Sequence, residues 1–566
     1  MQESRRKSPI SMLNEDVLWK IFMLNTEFDR YSDHWSSSSP LIIARRCSQA
    51  CRQWRSMLLS SPLIWGRLID LRALRQKKDD WRKEVEARSE GALLWVYGCI
   101  SPELLPDFLF PFLHKNWGRV QILYLWHQKY HQYDDKLWAF LNEPAPYLQK
   151  FEAQVPNHRT SLPSNSLFAD NAPVLRHFCG YTNKFPTDAS WLRNLSSMTF
   201  SSVFTTDEVL QALKRTPNLV SLTISTQYDY DYDSAARNQA ATDEIVLSKL
   251  GTLTLEGSFL GAGTILQRIT PSPDYNLSTT QLEFRHIASE GHVGEYYYAQ
   301  YEEGIKSYLL PHFSVHPPSS VKIQLIRENA LVLESANLNS HTGQFSIELY
   351  TPSLSSSSLI KELISSASFS SATKLQIRFG AWSMPTPTSA LGIVSLLEAF
   401  PSVKTLITSD AVLYSLLQHP DRTARLFPSL TTLDLTDSPS VPSDLSSESG
   451  SHECAGDPSP PPPPSREQFL KLRKDAGWQQ PVTVLLLSTT PDNIRLLQRG
   501  GMVHYESEYP GLLVKCSAEE YLCGSGQPEK LRFEAVANDL RATKTRLRDM
   551  GWLVGARWKS WLEDNS

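Results

Sequence analysis

The sequence predicts an α/β protein: an N-terminal helical module, an irregular curved array of strand and helix units built on a parallel sheet, and a small mixed C-terminal extension. Three observations carry that prediction. Apolar residues at helical spacing crowd residues 12–69, short alternating strands recur between Trp117 and Leu435, and a Ser/Pro-rich stretch sets off residues 466–566. At 566 residues the chain far exceeds one domain of roughly 150 residues. Its 15 Trp, 22 Phe and 21 Tyr, within 41% apolar residues, supply enough buriable surface for folded structure along most of that length.

Residues 1–11 read as a disordered tail. Arg5, Arg6 and Lys7 have no apolar segment behind them, so no secretory signal is expected, and the cluster reads as a solvated end rather than a nuclear signal. In 12–69, Leu13, Val17, Leu18, Ile21 and Phe22 share one helical face, with Asn14 as N-cap and Glu15 and Asp16 suited to the first-turn dipole. A second helical block carries Leu41, Ala44, Cys47, Ala50, Cys51, Trp54, Met57 and Leu58, with Arg45, Arg46, Arg52 and Arg55 on its other faces. Ser60-Ser61-Pro62 stops it, and Leu63-Ile64-Trp65 presents a large apolar pair. Residues 70–116 read as a connecting segment.

Residues 117–436 hold the array. Alternating segments lie at Val120 to Leu125, Tyr147 to Phe151, Val174 to Phe178, Leu219 to Ile224, Leu250 to Leu255, Val403 to Ile407 and Leu430 to Leu435. Leu148 to Leu175 is 27 residues, Leu219 to Leu250 is 31 and Val403 to Leu430 is 27. These intervals fall at or slightly beyond the roughly 20–29 residue period of leucine-rich repeats. Helical segments between them, Thr206 to Arg215 and Ala390 to Ala399, stop just before a proline. Such units stack into a solenoid with a parallel sheet on the concave side. Between Ser258 and Ser371 strands persist without even spacing. Alternation sends Leu222, Ile224, Leu253 and Leu255 inward and Ser221, Thr223, Thr252 and Thr254 outward. With Arg176 and Lys404 assumed to share that register, Thr223, Thr252, Thr254, Arg176 and Lys404 are the candidate substrate-binding residues.

Residues 437–465 read as a Ser/Pro-rich linker. Its run Pro460 to Pro464 offers no backbone donors, and neighbouring serines bury little, so ordering is not repaid. A docking site for an SH3-like or WW-like partner would need specificity flanks that are missing here. Residues 466–566 read as an α/β cap or extension: a helix at Glu467 to Ala476, a strand at Val482 to Leu487, a helix at Asp492 to Gln498, a strand at Leu512 to Lys515, and a C-terminal helix. That last helix spaces Leu531, Val536, Leu540, Thr543 and Leu547 on one face. Its Arg541, Lys544, Arg546 and Arg548 have no interleaved aromatic and read as a solvated face rather than a nucleic-acid stripe.

The net charge of −4, from 56 basic and 60 acidic residues, gives no reason to expect nucleic acid or a membrane as partner. The longest compact apolar run, Val482 to Leu487, suits a buried strand and cannot span a bilayer. Seven scattered cysteines suit a reducing compartment, cytoplasmic or nuclear. No metal, cofactor or catalytic residue is expected. His127 and His131 lack the glutamate of a His-Glu-x-x-His site, and Cys516 and Cys523 lack zinc spacing and a second pair. Cys47 and Cys51 read as small core hydrophobes. Asp229, Asp231 and Asp233 lack the glycine and distal glutamate of a calcium loop. Gly261-Ala262-Gly263 lacks a third glycine, no glycine loop is followed by a Walker lysine, and no Gly-x-Ser-x-Gly elbow occurs.

The residues at the N-terminus carry a resemblance. Leu13-Asn-Glu-Asp-Val-Leu-Trp-Lys-Ile-Phe22, Cys47-Ser-Gln-Ala-Cys-Arg-Gln-Trp-Arg55 and Leu59-Ser-Ser-Pro-Leu-Ile-Trp65, in that order, resemble the F-box of fungal F-box proteins. Asn14 stands where that pattern has proline, and residues 25–39 form a longer polar link. An irregular leucine-rich array is the usual companion of the motif. The resemblance implies a substrate-recognition subunit of a Skp-cullin-F-box type ubiquitin ligase, itself without catalysis. The F-box would bind a Skp-family adaptor, and through it a cullin-RING ligase, by Leu13, Val17, Ile21, Leu41, Trp54, Leu63 and Trp65. Trp54 and Trp65 would dominate, as buried tryptophans do at interfaces. The solenoid would bind a protein substrate. The alternative is a protein-binding solenoid scaffold outside any ligase, with the N-terminal helices only a cap.

Overall fold

A computed structural model describes residues 13–27, 39–75, 79–100, 108–127, 135–153, 167–180, 184–225, 244–257, 259–282, 292–327, 330–335, 344–350, 357–366, 368–379, 387–435, 465–478, 482–489, 514–521 and 535–536. The architecture is mixed α/β with N-terminal helices and mostly parallel strands, and it divides into two compact units, residues 1–304 and 305–566.

In the first unit the helices α1 (Glu15–Leu24), α2 (Pro40–Ala50), α3 (Arg52–Leu59) and α4 (Pro62–Gly66) come first. Asn14 caps α1, its Oδ1 accepting from the Val17 amide at 2.8 Å. Pro40 and Pro62 open α2 and α4, where a missing N–H costs no helical bond. The continuous helical block expected over 41–58 is broken at Cys51. This residue is extended, and its Sγ accepts from the Trp54 amide at 3.4 Å to cap α3. Cys51 is exposed rather than a core hydrophobe, whereas Cys47 is half-buried and burial pushes its thiol pKa up.

The remaining elements of this unit are β1 (Ile69–Asp70), α5 (Asp80–Arg88), β2 (Leu94–Ile100), α6 (Phe110–Asn116), β3 (Val120–His127), β4 (Lys150–Ala153), β5 (His177–Gly180), β6 (Ser197–Phe200), α7 (Thr206–Leu213), β7 (Ser221–Ser225), β8 (Ile245–Val246), β9 (Thr252–Gly257), α8 (Phe259–Leu266), β10 (Ile269–Thr270) and β11 (Asn276–Leu282). Strands β1-β2-β3-β4-β5-β6-β7-β9-β11 pair in that order, parallel at each step, while β8 pairs with β10. The sheet thus begins ahead of residue 117, inside the stretch read as a connector. Leu93-Leu94-Trp95-Val96-Tyr97 is apolar at both parities, so β2 leaves no alternation to read.

One inward row runs in register through Val96, Leu123, Phe151, Phe178, Met198, Leu222, Leu253 and Leu277, and each is buried. Between β3 and β6 the helical turns among the described residues are 3₁₀, at Asp135–Asn142, Leu167–Asp170 and Ser190–Asn194, and aromatic rings fill the space beneath. Phe168 takes a left-handed φ of 59° while its ring lies against Phe151, Trp117 and Trp191. That packing holds a conformation costing about 1–3 kcal/mol. Gly263 lies in α8, and a Cβ there would meet the Tyr301 Cα at 2.8 Å. Close helix packing therefore explains the glycine at 263.

The unit boundary falls within α9 (His292–Val315). Beyond it lie β12 (Ser320–Arg327), β13 (Ala330–Ser335), β14 (Phe345–Tyr350), α10 (Ser358–Ser365), β15 (Lys374–Phe379), α11 (Pro387–Leu397), β16 (Thr405–Ile407), α12 (Asp410–Leu416), α13 (Pro420–Thr423), β17 (Thr432–Asp434), α14 (Ser465–Asp475), β18 (Val482–Thr489), β19 (Val514–Tyr521) and β20 (Ala535–Val536). Strands β12-β15-β16-β17-β18 are parallel, with antiparallel excursions through β13 and β14 at one end and β19 and β20 at the other. The first excursion accounts for much of the uneven spacing before Ser371.

α14 docks on the elements before it. Arg473 is buried and donates from Nη1 to the Leu426 carbonyl at 2.7 Å, and Trp478 Nε1 donates to the Ala424 carbonyl at 2.8 Å. Val536 belongs to a strand paired with Lys515, so the helix expected through Leu531 to Leu547 is not helical there. The tail 1–11, residues 437–464 of the linker, the helix expected at Asp492 to Gln498 and residues 537–566 lie outside the described residues. Among the described residues no helix is long and apolar enough to cross a membrane.

Candidate protein-binding surfaces

The N-terminal helices are tied to the sheet by their own largest side chains. Trp65 is fully buried and donates from Nε1 to the Leu58 carbonyl at 2.6 Å. Trp81 meets its ring edge-to-face at 6.1 Å, and the Arg88 guanidinium lies over it at 4.6 Å from the centroid. The Ser39 hydroxyl, just before α2, donates to Asp70 Oδ2, while Asp70 Oδ1 accepts from the Arg72 and Ala73 amides at 3.0 and 3.3 Å. Burial, and then the Asp70 charge, hold the Tyr97 phenol pKa well above its usual value. Leu41 is buried in the same layer. Leu41 and Trp65, expected as adaptor anchors, are both buried within the chain's own core.

The other expected anchors lie differently. On α1, Leu18 and Phe22 face inward, while Val17, Ile21 and Leu24 are 41%, 40% and 64% exposed. Spaced i, i+4 and i+7, these three form one apolar row that the fold leaves uncovered. Leu63 is 54% exposed and Leu13 half-buried. Trp54 is half-buried and meets the Phe22 ring edge-to-face at 5.3 Å, so it ties α3 to α1. Beside the row a cleft of about 250 Å³ is lined by Lys20, Met23, Leu24, Glu27 and Arg67. Arg67 stacks on Trp95 at 4.2 Å; burial lowers its pKa and the Glu27 charge opposes that. Leu24 went unmarked in the sequence although it continues the Val17 spacing by seven residues. Arg67 gave no signal, because its place depends on a distant strand.

The outward face of the first unit's sheet carries two rows in register: Lys150, His177, Ser197, Ser221, Thr252 and Asn276, then Glu152, Cys179, Thr199, Thr223, Thr254 and Ser278. Thr223, Thr252 and Thr254 stand on it as expected, half-buried among neighbouring strands. Arg176 and Lys404 do not share that register. Each precedes its strand by one residue, at the parity of the inward row, and Lys404 belongs to the second unit. The Arg176 guanidinium donates to the Leu175 and Asn194 carbonyls at 3.3 and 3.2 Å. Strands begin later than the alternating segments do, which is what shifted both residues. The same outward face also carries half-buried Trp95, Ile122, Tyr124 and Trp126, which the sequence reading missed.

Among the described residues no three His, Cys, Asp or Glu side chains converge on a metal position. His127 ends β3, while His131 and the Asp229, Asp231 and Asp233 run lie outside the described residues. No family model matches the chain, and no curated protein matches it.

Proposed function

We propose that the chain is a non-catalytic substrate-recognition subunit of a Skp-cullin-F-box type ubiquitin ligase, acting in the cytoplasm or nucleus. In this reading residues 12–69 are an F-box that binds a Skp-family adaptor. The parallel strands form an irregular leucine-rich-repeat-like solenoid whose outward hydroxyl-rich face takes a protein substrate. The observation that carries it is the uncovered row Val17, Ile21 and Leu24, on the helix whose sequence resembles the first helix of an F-box. A partner that covers three large aliphatic side chains in one line gains about 25 cal/mol per Å² of apolar surface removed from water.

A second reading, a scaffold outside any ligase whose helices only cap the array, is favoured by the burial of Leu41 and Trp65. The test is capture of a Skp-family adaptor by the full chain. Val17→Asp with Ile21→Asp should abolish capture with an unchanged thermal melt, since both positions are exposed. Absence of capture by the unaltered chain would favour the scaffold.

A further inference from the structure

Between residues 34 and 69 the chain has no acidic residue, yet it carries Arg45, Arg46, Arg52, Arg55 and Arg67, in a protein of net charge −4. Four of these arginines, 45, 46, 52 and 55, are exposed. Three of the described acids that flank this stretch have local employment. Glu15 and Asp16 sit in the first turn of α1, where the helix dipole favours them, and Asp70 is engaged by the Ser39 hydroxyl and two amides. In the cleft beside the apolar row, Lys20 and Arg67 face one carboxylate, Glu27. Stacking on Trp95 presets the Arg67 guanidinium, so less freedom is lost when an anion arrives.

We propose that the Val17, Ile21 and Leu24 row with its cleft receives an acidic amphipathic helix of a partner protein. The partner's apolar side chains lie along the row, and a carboxylate beyond them reaches Lys20 and Arg67. The inference rests on reading α1 as a partner-binding helix and adds the charge of what it binds. A second copy of this chain would bring Lys20 towards Lys20 where the two rows meet, with Glu15 and Asp16 on the same helix, so dimerisation is an outcome of the test. The basic cluster Arg5, Arg6 and Lys7 fits poorly, because it would bring cation to cation.

Two synthetic helical peptides with the same leucine row, one flanked by Glu and one by Lys, serve as probes for the full chain in fluorescence anisotropy. The Glu peptide should bind about tenfold tighter at low salt, with the advantage shrinking as salt rises. Lys20→Glu, at an exposed position, should narrow or invert that preference without moving the thermal melt. Equal binding of both peptides, or a preference that survives Lys20→Glu, overturns the proposal. So does a dimer of the full chain that Ile21→Asp dissociates, since the row would then belong to a second copy. Adaptor capture alongside equal peptide binding removes this inference and leaves the proposed function standing. Peptide discrimination without adaptor capture does the reverse.

Discussion

The indole of Trp65 is closed in by Trp81 and the Arg88 guanidinium, and its N–H donates to the Leu58 carbonyl across seven residues. It therefore fixes the end of α4 to the end of α3. Trp65→Ala should cost about 3–5 kcal/mol, and Trp65→Phe, which keeps most of the ring and loses the hydrogen bond, distinctly less. Chemical denaturation of the full chain would measure both. Val17→Asp should cost no more than about 1 kcal/mol, because the position is 41% exposed. The F-box resemblance marked both residues alike, because a sequence pattern records which side chains are apolar and not whether the fold or a partner covers them. A destabilisation by Val17→Asp as large as that of Trp65→Ala would mean that the row is buried within the chain.

Helix α7 opens with a reciprocal cap. The Thr205 hydroxyl accepts from the Glu208 amide at 3.3 Å, and the Glu208 carboxylate accepts from the Thr205 amide at 2.8 Å and pairs with Lys184. Burial acts to raise the Glu208 pKa, but Lys184 and the Thr205 groups outweigh it and hold it below the usual value. A carboxylate depressed in the fold contributes stability fully present above its unfolded pKa of about 4.3, lost as pH falls through the folded one. Glu208→Gln keeps an N3 acceptor for the cap but loses the charge, so it should cost about 0.3–1 kcal/mol at neutral pH, and the difference should vanish in acid. Melts of both proteins across that range check the sign. Among the strands, alternation was legible in β7 and β9 because one face is hydroxylated and the other aliphatic. Accordingly Leu222→Asp should unfold the first unit by burying a charge, while Thr223→Arg with Thr254→Arg should leave its melt nearly unchanged. The reverse order in those melts would put the sheet in the opposite register. The break between α2 and α3 was not legible, since a cysteine cap is weak and apolar spacing continues across it.

At the scale of the molecule, the N-terminal helices both seal one end of the parallel sheet and present an uncovered row, and these two roles separate by residue. Leu41, Ile64, Trp65 and Leu68 are buried, and each burial of this kind is worth about 1.5–3 kcal/mol. β1 follows directly, pairing in parallel with β2 through Ile69 and Val96. Deleting residues 13–69 should therefore uncover the first strands of the sheet and lower the earliest thermal transition of the full chain, with aggregation through exposed apolar surface. Loss of partner capture by such a deletion would not distinguish a missing interface from a damaged sheet. The paired change Val17→Asp and Ile21→Asp separates them, because it reverses the character of the row and touches none of the four buried side chains. The expected result is a wild-type melting curve with partner capture gone for the double variant, and a lowered first transition for the deletion. If the deletion melted like the full chain, the helices would be an independent module, and the burial of Leu41 and Trp65 would be internal to it rather than a seal on the sheet.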